Sequence, residues 1–170
     1  MEGFLNPPEV LTKLRLRNNM VAADFGCGSG GWVIPLAKKL TEGKVYAIDI
    51  LEEPLSALRS KIKLEKIYNV FFIKADVEKT SRLFENSCDL ILMTNLLFET
   101  EEPKKMLEEA KRVLKEDGRI LIVDWKEDSP FGPQNKISVE VTKRLAKDTG
   151  FILEKEFEAS IYHYGLIFTK

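Results

Sequence analysis

The sequence predicts a doubly wound α/β domain, with helices on both faces of a mostly parallel sheet. Short apolar runs alternate along the chain with segments of helical periodicity, which is typical of strand–helix–strand units. The apolar runs are continuous and do not alternate with polar residues, as expected for strands that are buried on both faces. Because the chain has 170 residues and no linker rich in glycine and serine, we expect a single domain spanning residues 1–170.

The first half of the chain contains three predicted strands with helices between them. The strands correspond to three apolar runs: Met20–Asp24, Val45–Ile48 and Val70–Ile73. Apolar residues at helical spacing follow the first two runs, at positions 33–40 and 55–62, and Pro54 suits the first turn of the second helix. A further helix, Pro8–Arg17, is expected before the first strand.

The second half repeats this order and then departs from it. The predicted elements are a strand, a helix, a strand and a helix, in chain order Leu90–Met93, Met106–Leu114, Ile120–Val123 and Ser138–Thr149. A turn is expected at Asp117-Gly118. The two last apolar runs, Ile152–Phe157 and Tyr162–Thr169, have no helical segment between them, so they are predicted to form an antiparallel pair that closes the sheet.

The composition argues against several classes of function. A formal net charge of -1 gives no overall attraction to nucleic acid or to an anionic membrane. The two cysteines, Cys27 and Cys88, and the one histidine, His163, do not form a metal-ligand pattern, so no metal is expected. Since the chain shows neither a secretory leader nor an apolar run of about 18 residues, we expect a cytoplasmic protein without a membrane span.

A row of polar side chains is predicted at one edge of the sheet. Five strands end at or next to a carboxylate or an amide: Asp24, Asp49, Asp76, Asn95 and Asp124. Ligands bind beyond the carboxyl ends of the strands in doubly wound folds, near the switch in strand order. Any one of these side chains is explained as readily by capping a strand end as by binding a ligand, but the five together indicate a ligand site.

The glycine-rich loop Gly26–Gly31 joins the first strand to a helix. Glycines let the backbone turn sharply and approach a ligand, and the start of the helix offers free N–H groups. The spacing in Gly26-Cys27-Gly28-Ser29-Gly30 is G-x-G-x-G, whereas a dinucleotide fingerprint is G-x-G-x-x-G. By itself, the loop fits either a tight turn or a ligand of the nucleoside type.

Two later acids fit the same kind of ligand. Asp49 ends the second strand, where a carboxylate is able to accept two hydrogen bonds from a ribose diol. Asp76 ends the third strand and suits an exocyclic adenine amine. It equally suits the N-cap of a short helix over Val77–Leu83. The two acids therefore indicate a nucleoside without identifying which one.

These segments resemble the class I S-adenosylmethionine-dependent methyltransferases, in the subgroup of ubiquinone- and menaquinone-biosynthesis C-methyltransferases. The resemblance covers nearly the whole chain and is carried by five stretches: Val21–Gly31, Val45–Ile50, Lys74–Val77, Cys88–Asn95 and Ala110–Asp124. It implies a seven-stranded sheet in the order 3-2-1-4-5-7-6 with strand 7 antiparallel. It also implies in-line transfer of a methyl group from S-adenosyl-L-methionine to a small-molecule acceptor, which leaves S-adenosyl-L-homocysteine.

The resemblance implies a role for each part of the cofactor site. Asp24 and the Gly26 carbonyl would face the methionine ammonium, Asp49 would hold the ribose, and Asp76 would contact the adenine amine. The residues expected around the cofactor are Asp24, Phe25, Gly26, Cys27, Gly28, Gly30, Asp49, Ile50, Leu51, Asp76, Val77, Asn95 and Leu96. Cys27 and Cys88 are expected to be buried and inert.

The acceptor side is less well defined. Many relatives have a histidine pair after the fourth strand, where this chain has Leu97-Phe98-Glu99. Three side chains are candidates for a general base: Glu99, Asp124 and His163. Trp125 suits a pocket wall or a cap on the core, and the loop Lys126–Lys136 is hypothesised to cover the acceptor.

Two other functions remain open from the sequence. A nicotinamide-dependent oxidoreductase would share the fold, but the loop spacing and the terminal hairpin argue against it. A non-catalytic cofactor-binding or scaffold subunit is not excluded by fold alone. A homodimer, or a partner chain that completes the acceptor site, is compatible with the sequence.

Overall fold

Seven strands in one sheet, with helices on both faces, make up residues 4–170, the part of the chain that this computed structural model describes. The strands are β1 (Val21–Phe25), β2 (Lys44–Asp49), β3 (Val70–Lys74), β4 (Cys88–Thr94), β5 (Leu114–Trp125), β6 (Ile152–Ser160) and β7 (His163–Thr169). The helices are α1 (Pro7–Val10), α2 (Val33–Lys39), α3 (Glu52–Leu64), α4 (Pro103–Val113) and α5 (Val139–Asp148). Short 3₁₀ turns occupy Leu11–Lys13 and Leu97–Glu99.

The strand order is β3-β2-β1-β4-β5-β7-β6, as the resemblance implied. β1 to β5 run parallel, while β7 is antiparallel to both of its neighbours, β5 and β6. β7 follows β6 through a tight turn at Ile161-Tyr162, so its strand begins at His163, one residue later than predicted. The predicted fold class and topology are confirmed.

Two apolar cores lie on opposite faces of the sheet. Alternate residues of β1 divide between them: Ala22 packs with α1, α2 and α3, whereas Ala23 and Phe25 pack with α4 and α5. The central strands are buried on both faces, which explains their continuous apolar sequences. Within residues 4–170, none of the helices combines the length and the apolar character that a membrane span requires.

The first helix is shorter than predicted. Asn6 caps α1 by accepting a hydrogen bond from the Glu9 amide, and the helix continues only as the 3₁₀ turn to Lys13. Leu14 then adopts an extended backbone with φ -92° and ψ 147°, and its side chain is buried in the core. The expected helix over Pro8–Arg17 therefore ends before Arg17, because the extended backbone at Leu14 interrupts the helical hydrogen-bond pattern.

Two local predictions in the middle of the chain differ from the structure. The expected turn at Asp117-Gly118 lies inside β5, at the point where pairing with β4 shifts register. No helix forms over Val77–Leu83. Ser81 instead donates its amide and hydroxyl to one oxygen of Glu109, at 2.7 and 2.6 Å, and Arg82 has φ 63°. These contacts fix an irregular segment against α4.

Candidate cofactor site

A cavity of about 390 Å³ opens at the carboxyl ends of β1, β2, β3 and β4. It is lined by residues that the sequence predicted for cofactor binding, namely Gly26, Gly28, Asp49, Ile50, Leu51, Asp76, Val77, Asn95 and Leu96. Glu99, predicted as a candidate base, also lines it, together with four residues that were not predicted: Pro54, Ala75, Glu78 and Thr100. The structure thus brings residues from four strand ends to one place.

The glycine loop has a backbone that only glycine adopts without strain. Gly26 has φ 70° and Gly30 has φ 90°, both in the left-handed region. A Cβ at Gly26 would lie 2.5 Å from Leu96 Cδ1, and one at Gly30 would lie 2.2 Å from Leu58 Cδ1. Gly26 therefore lets the loop approach the cavity wall, whereas Gly30 packs against α3 and does not line the cavity.

Asp49 connects the end of β2 to the glycine loop. Its Oδ2 accepts a hydrogen bond from the Gly28 amide at 2.9 Å, and its Oδ1 accepts one from the Leu51 amide at 3.0 Å. Each carboxylate oxygen has a further lone pair for a ligand. Ile50 and Leu51, which follow it, are more than half exposed at the cavity rim. These two apolar side chains are free to cover a flat ligand.

Asp24 is fully buried near the end of β1, two residues before the loop, and it is not among the residues that line the cavity surface. Neither of its carboxylate oxygens has a hydrogen-bond partner among residues 4–170. Burial, and secondarily the negative charge of Asp49, raise the pKa of Asp24 well above its ordinary value. A buried carboxylate without a partner is costly, so this position favours a cationic or hydrogen-donating ligand group.

Two further residues predicted for cofactor binding, Phe25 at the end of β1 and Cys27 in the loop, do not line the cavity. Phe25 is fully buried in the core, and Cys27 is nearly so. Burial, followed by the charges of Asp24 and Asp49, strongly raises the pKa of the Cys27 thiol, which keeps it protonated. Cys88 is also buried. The expectation that both cysteines are buried is confirmed.

Asp76 shapes the far side of the cavity. Its Oδ1 accepts a hydrogen bond from the Glu78 amide at 3.1 Å, and its Oδ2 forms an ion pair with Lys79 Nζ at 2.7 Å. The hydrogen bond from Lys79 lowers the pKa of Asp76. Asp76 therefore closes a turn, and does not cap a helix as one interpretation of the sequence had it.

The three candidate bases do not converge on one point. Glu99 is exposed at the cavity rim, whereas the Asp124 side chain is buried and accepts hydrogen bonds from the amides of Trp125 and Leu97 at 2.8 and 3.1 Å. His163 is buried, its Nδ1 lies 2.9 Å from Ser160 Oγ, and its Nε2 has no partner among residues 4–170. Burial raises the pKa of Asp124 to about 6, and burial and nearby Lys126 lower that of His163 to about 4.

The loop at 126–136 lies beside these groups. Asn135 Nδ2 donates a hydrogen bond to the Phe98 carbonyl at 2.6 Å, which attaches the loop to the Leu97–Glu99 turn. Gly132, with φ 92°, packs directly on the Trp125 indole, and that indole lies 4.0 Å from the His163 ring. The covering role of this loop stays a prediction, and so does a pocket-wall role for Trp125.

A larger cavity, of about 780 Å³, lies between the start of α5 and the strands β6 and β7. Its walls carry the carboxylates of Glu127, Asp128 and Glu140, together with Tyr164. This cavity was not predicted, although the loop at 126–136, which begins at its wall, was hypothesised to cover an acceptor.

Comparison with known proteins identifies the family of this chain. A family model described as a methyltransferase domain matches residues 16–160. A solved S-adenosylmethionine-dependent methyltransferase from Aquifex aeolicus is 32% identical, with a TM-score of 0.90 over 96% of this chain and 89% of that one.

Curated relatives match over part of their length. A demethylmenaquinone methyltransferase of Geobacillus stearothermophilus is 27% identical over 73% of this chain and 53% of its own length. A tRNA (guanine-N(7)-)-methyltransferase of Clostridium tetani is 28% identical over 81% of this chain and 65% of its own length. The chain spans about half the length of the first of these relatives. On the matched domain, the fold and the Aquifex structure, the chain belongs to the methyltransferase domain family, as a class I S-adenosylmethionine-dependent methyltransferase resembling those of quinone biosynthesis.

Proposed function

We propose that this chain binds S-adenosylmethionine in the 390 Å³ cavity beside the glycine loop and transfers its methyl group to a small-molecule acceptor. The observation that carries the proposal is the fully buried Asp24 carboxylate, which has no hydrogen-bond partner among residues 4–170. A methionine ammonium is a cation with three donors, and it would compensate this group. Family membership supports the same cofactor.

The other residues of the cavity fit the remaining parts of such a cofactor. Asp49 has a free lone pair on each carboxylate oxygen for the ribose hydroxyls. Ile50 and Val77 supply apolar surface on the walls for a purine, and Asp76 supplies an acceptor for its amine. Gly26 and Leu96 are in close contact at the wall that would flank the methionine portion.

When bound, the cofactor supplies a methyl group already activated on a sulfonium, so the protein has mainly to align donor and acceptor. A proton acceptor is needed only for an acceptor that arrives protonated. Glu99 is the candidate best placed for that role, because it alone of the three candidates lines the cavity and is exposed. Asp124 and His163 are buried and already hold local hydrogen bonds.

The acceptor is proposed to be a small molecule, although one relative is named for a tRNA substrate. The net charge of -1 supports this choice, since a tRNA-binding domain gains most of its affinity from excess positive charge. Methylation of a panel of small thiols, phenols, quinols and amines, compared with bulk tRNA, distinguishes the two acceptor classes.

Calorimetry with S-adenosylmethionine, S-adenosylhomocysteine and NAD tests the cofactor assignment. We expect binding of the first two, and Asp49→Ala should weaken it by about 1–3 kcal/mol, the usual cost of leaving buried hydroxyls unpaired. Tight binding of NAD without binding of S-adenosylmethionine would overturn the proposal. Cofactor binding without methylation of any acceptor would support a non-catalytic subunit instead.

A further inference from the structure

One wall of the proposed cofactor cavity is formed by a short 3₁₀ turn. The hydrogen bonds inside this turn do not attach it to the neighbouring strands. The Leu97–Glu99 turn and the residues before it contribute Asn95, Leu96 and Glu99 to the lining. No side chain caps the start of this turn from Leu96, its N-cap position. A single 3₁₀ turn leaves its first amides without partners inside the turn, so they need acceptors from elsewhere.

Asp124, at the end of the neighbouring strand β5, supplies that acceptor. Its Oδ2 accepts a hydrogen bond from the Leu97 amide at 3.1 Å, and its Oδ1 accepts one from its own neighbour, the Trp125 amide, at 2.8 Å. Its side chain is only 1% exposed. A buried carboxylate is tolerated when it accepts several hydrogen bonds, and bonds to a charged acceptor are stronger than neutral ones. The carboxylate and the turn therefore stabilise each other.

We propose that Asp124 is a positioning residue for cofactor binding, which acts through the Leu97 amide to hold the Leu97–Glu99 turn against the cavity. The inference rests on the proposed function, since it assumes that the cofactor occupies this cavity. It gives Asp124 a role other than general base. Asn135 supports the same turn from the opposite side through the Phe98 carbonyl.

The surroundings of Asp124 give the proposal a measurable pH dependence. The groups that face it are Glu99 on the turn, whose charge raises the pKa of Asp124, and Tyr164 on β7, whose own pKa is raised partly by Asp124. Burial, and to a smaller extent the charge of Glu99, raise the pKa of Asp124 to about 6 against the opposing effect of the amide hydrogen bonds. The ionised carboxylate accepts stronger hydrogen bonds than the protonated group does, so cofactor affinity should fall as the pH drops through about 6.

The test is calorimetry of S-adenosylhomocysteine with wild type, Asp124→Asn and a control, from about pH 5 to about pH 8. The isosteric Asn keeps one carbonyl acceptor and loses the charge. We expect it to bind about tenfold more weakly than wild type near pH 7.5, with a flatter pH profile. Asp24 also titrates, but it is present in both proteins, so the difference between the two profiles isolates Asp124.

Asn69→Ala is the matched control. Asn69 Nδ2 donates to the carbonyls of Ala37 and Leu40 at the opposite edge of the sheet, so its loss destabilises the fold without touching the cavity. We expect this variant to bind within about twofold of wild type. Asn135→Ala, which releases the same turn from its other side, should weaken binding less than Asp124→Asn. It serves as the second variant if Asp124→Asn does not fold.

Three outcomes would contradict the inference. If Asp124→Asn binds like wild type with the same pH profile, the positioning role is wrong while the proposed function stands. If Asn69→Ala loses as much affinity as Asp124→Asn, the effect is general destabilisation and the inference fails. If wild type does not bind S-adenosylhomocysteine at any pH, the proposed function is wrong and the inference with it.

Discussion

The two halves of the carboxyl edge of the sheet are built differently. At β1, β2 and β3 the strand ends carry single acids, and the loops after them surround an open cavity. At the same edge, β5 ends at Trp125 and the antiparallel strand β7 begins at His163. The centroids of these two rings are 4.0 Å apart, so the rings pack against each other. The first half is a cradle of backbone and short polar groups, whereas the second half is a packed aromatic cluster.

The two halves differ in how directly the sequence indicates them. The cradle is built from strand ends and a glycine loop that are recognisable in the sequence, and Asp49 joins them by accepting hydrogen bonds from the Leu51 amide and from the Gly28 amide, 21 positions away. The aromatic cluster depends on distant segments, since Tyr162 contacts Phe131 at 5.1 Å and Phe4 at 6.2 Å between ring centroids. A sequence motif is therefore enough to predict the first kind of site, whereas the second kind becomes recognisable only in the folded structure.

The largest effect expected on the cradle is that of Asp24→Asn. Because the carboxylate is buried without a partner, the neutral amide should raise the free energy of unfolding while it weakens binding of S-adenosylhomocysteine by about 100-fold, or ~3 kcal/mol. The pKa of Asp24 is raised in the folded state, so the folded protein retains this proton where the unfolded chain has released it, and wild-type stability falls as the pH rises through that window. Thermal unfolding from pH 5 to pH 9 should show a flatter profile for the variant.

Asp89→Asn is the control for that experiment. Asp89 Oδ2 accepts a hydrogen bond from the Val21 amide at 2.8 Å, at the other end of the same strand β1. Its loss should lower stability and leave cofactor affinity unchanged. Equal affinity of Asp24→Asn and wild type would remove the main support for the cofactor proposal.

The second prediction compares two glycines of the cradle. Gly30→Ala places a Cβ 2.2 Å from Leu58 Cδ1 in addition to its left-handed backbone, so it should cost about 1–3 kcal/mol of stability from overpacking alone. Gly28 has φ 51° but no heavy atom within 4 Å of its Cβ position, so Gly28→Ala should cost only about 1 kcal/mol. Urea unfolding of both variants measures the difference, and equal costs would mean that contact with α3 does not restrict the loop.

The third prediction concerns the aromatic cluster. His163 has a pKa of about 4, below its ordinary value, so it folds as the neutral imidazole and contributes stability that is lost as the pH falls from about 6.5 towards 4. Between pH 7 and pH 5, wild type should lose roughly 1–2 kcal/mol more than His163→Gln. Chemical unfolding at the two pH values gives the comparison, and parallel losses would mean that His163 titrates normally.

The smallest effect is expected from Gly132→Ala. A Cβ there would lie 2.5 Å from the Trp125 indole, so the loop at 126–136 should lift from the indole while global stability changes by about 1 kcal/mol or less. Faster proteolysis within the loop, at nearly unchanged unfolding temperature, is the expected signature. An unchanged cleavage rate would show that the loop is held by other contacts, such as Asn135 to Phe98.

Most of the fold was predictable from the sequence, because buried parallel strands have continuous apolar sequences and amphipathic helices separate them. The Val33–Leu40 periodicity predicted α2, and the lack of a helix between the last two runs predicted the β6–β7 hairpin. The full strand order came from resemblance. The apolar spacing of Val10 and Leu14 did not indicate that the backbone becomes extended at Leu14, so the predicted first helix was too long.

The site was predictable only in part, because some of its residues are positioned by irregular segments and by contacts between distant parts of the chain. Asp49 and Gly26 line the cavity because strand ends and glycine turns have fixed places in this fold. Thr100 and Glu78 were missed because they lie in irregular segments, where contacts such as the hydrogen bond from the Glu102 amide to Glu78 follow no periodic pattern. The hydrogen bond from the Leu97 amide to the buried Asp124 carboxylate was not predictable either, since no sequence pattern relates residues that lie 27 positions apart.

The position of β7 has a consequence for synthesis of the protein. β7 is made after β6 but lies between β5 and β6, so both of those strands present unpaired backbone until β7 has left the ribosome. A nascent chain whose residues have emerged as far as Ser160, with β7 still inside the ribosome, would hold a five-stranded parallel sheet with an open edge and a detached, largely polar β6. The charged side chains of β6 would then protect this unpaired strand from aggregation with other chains.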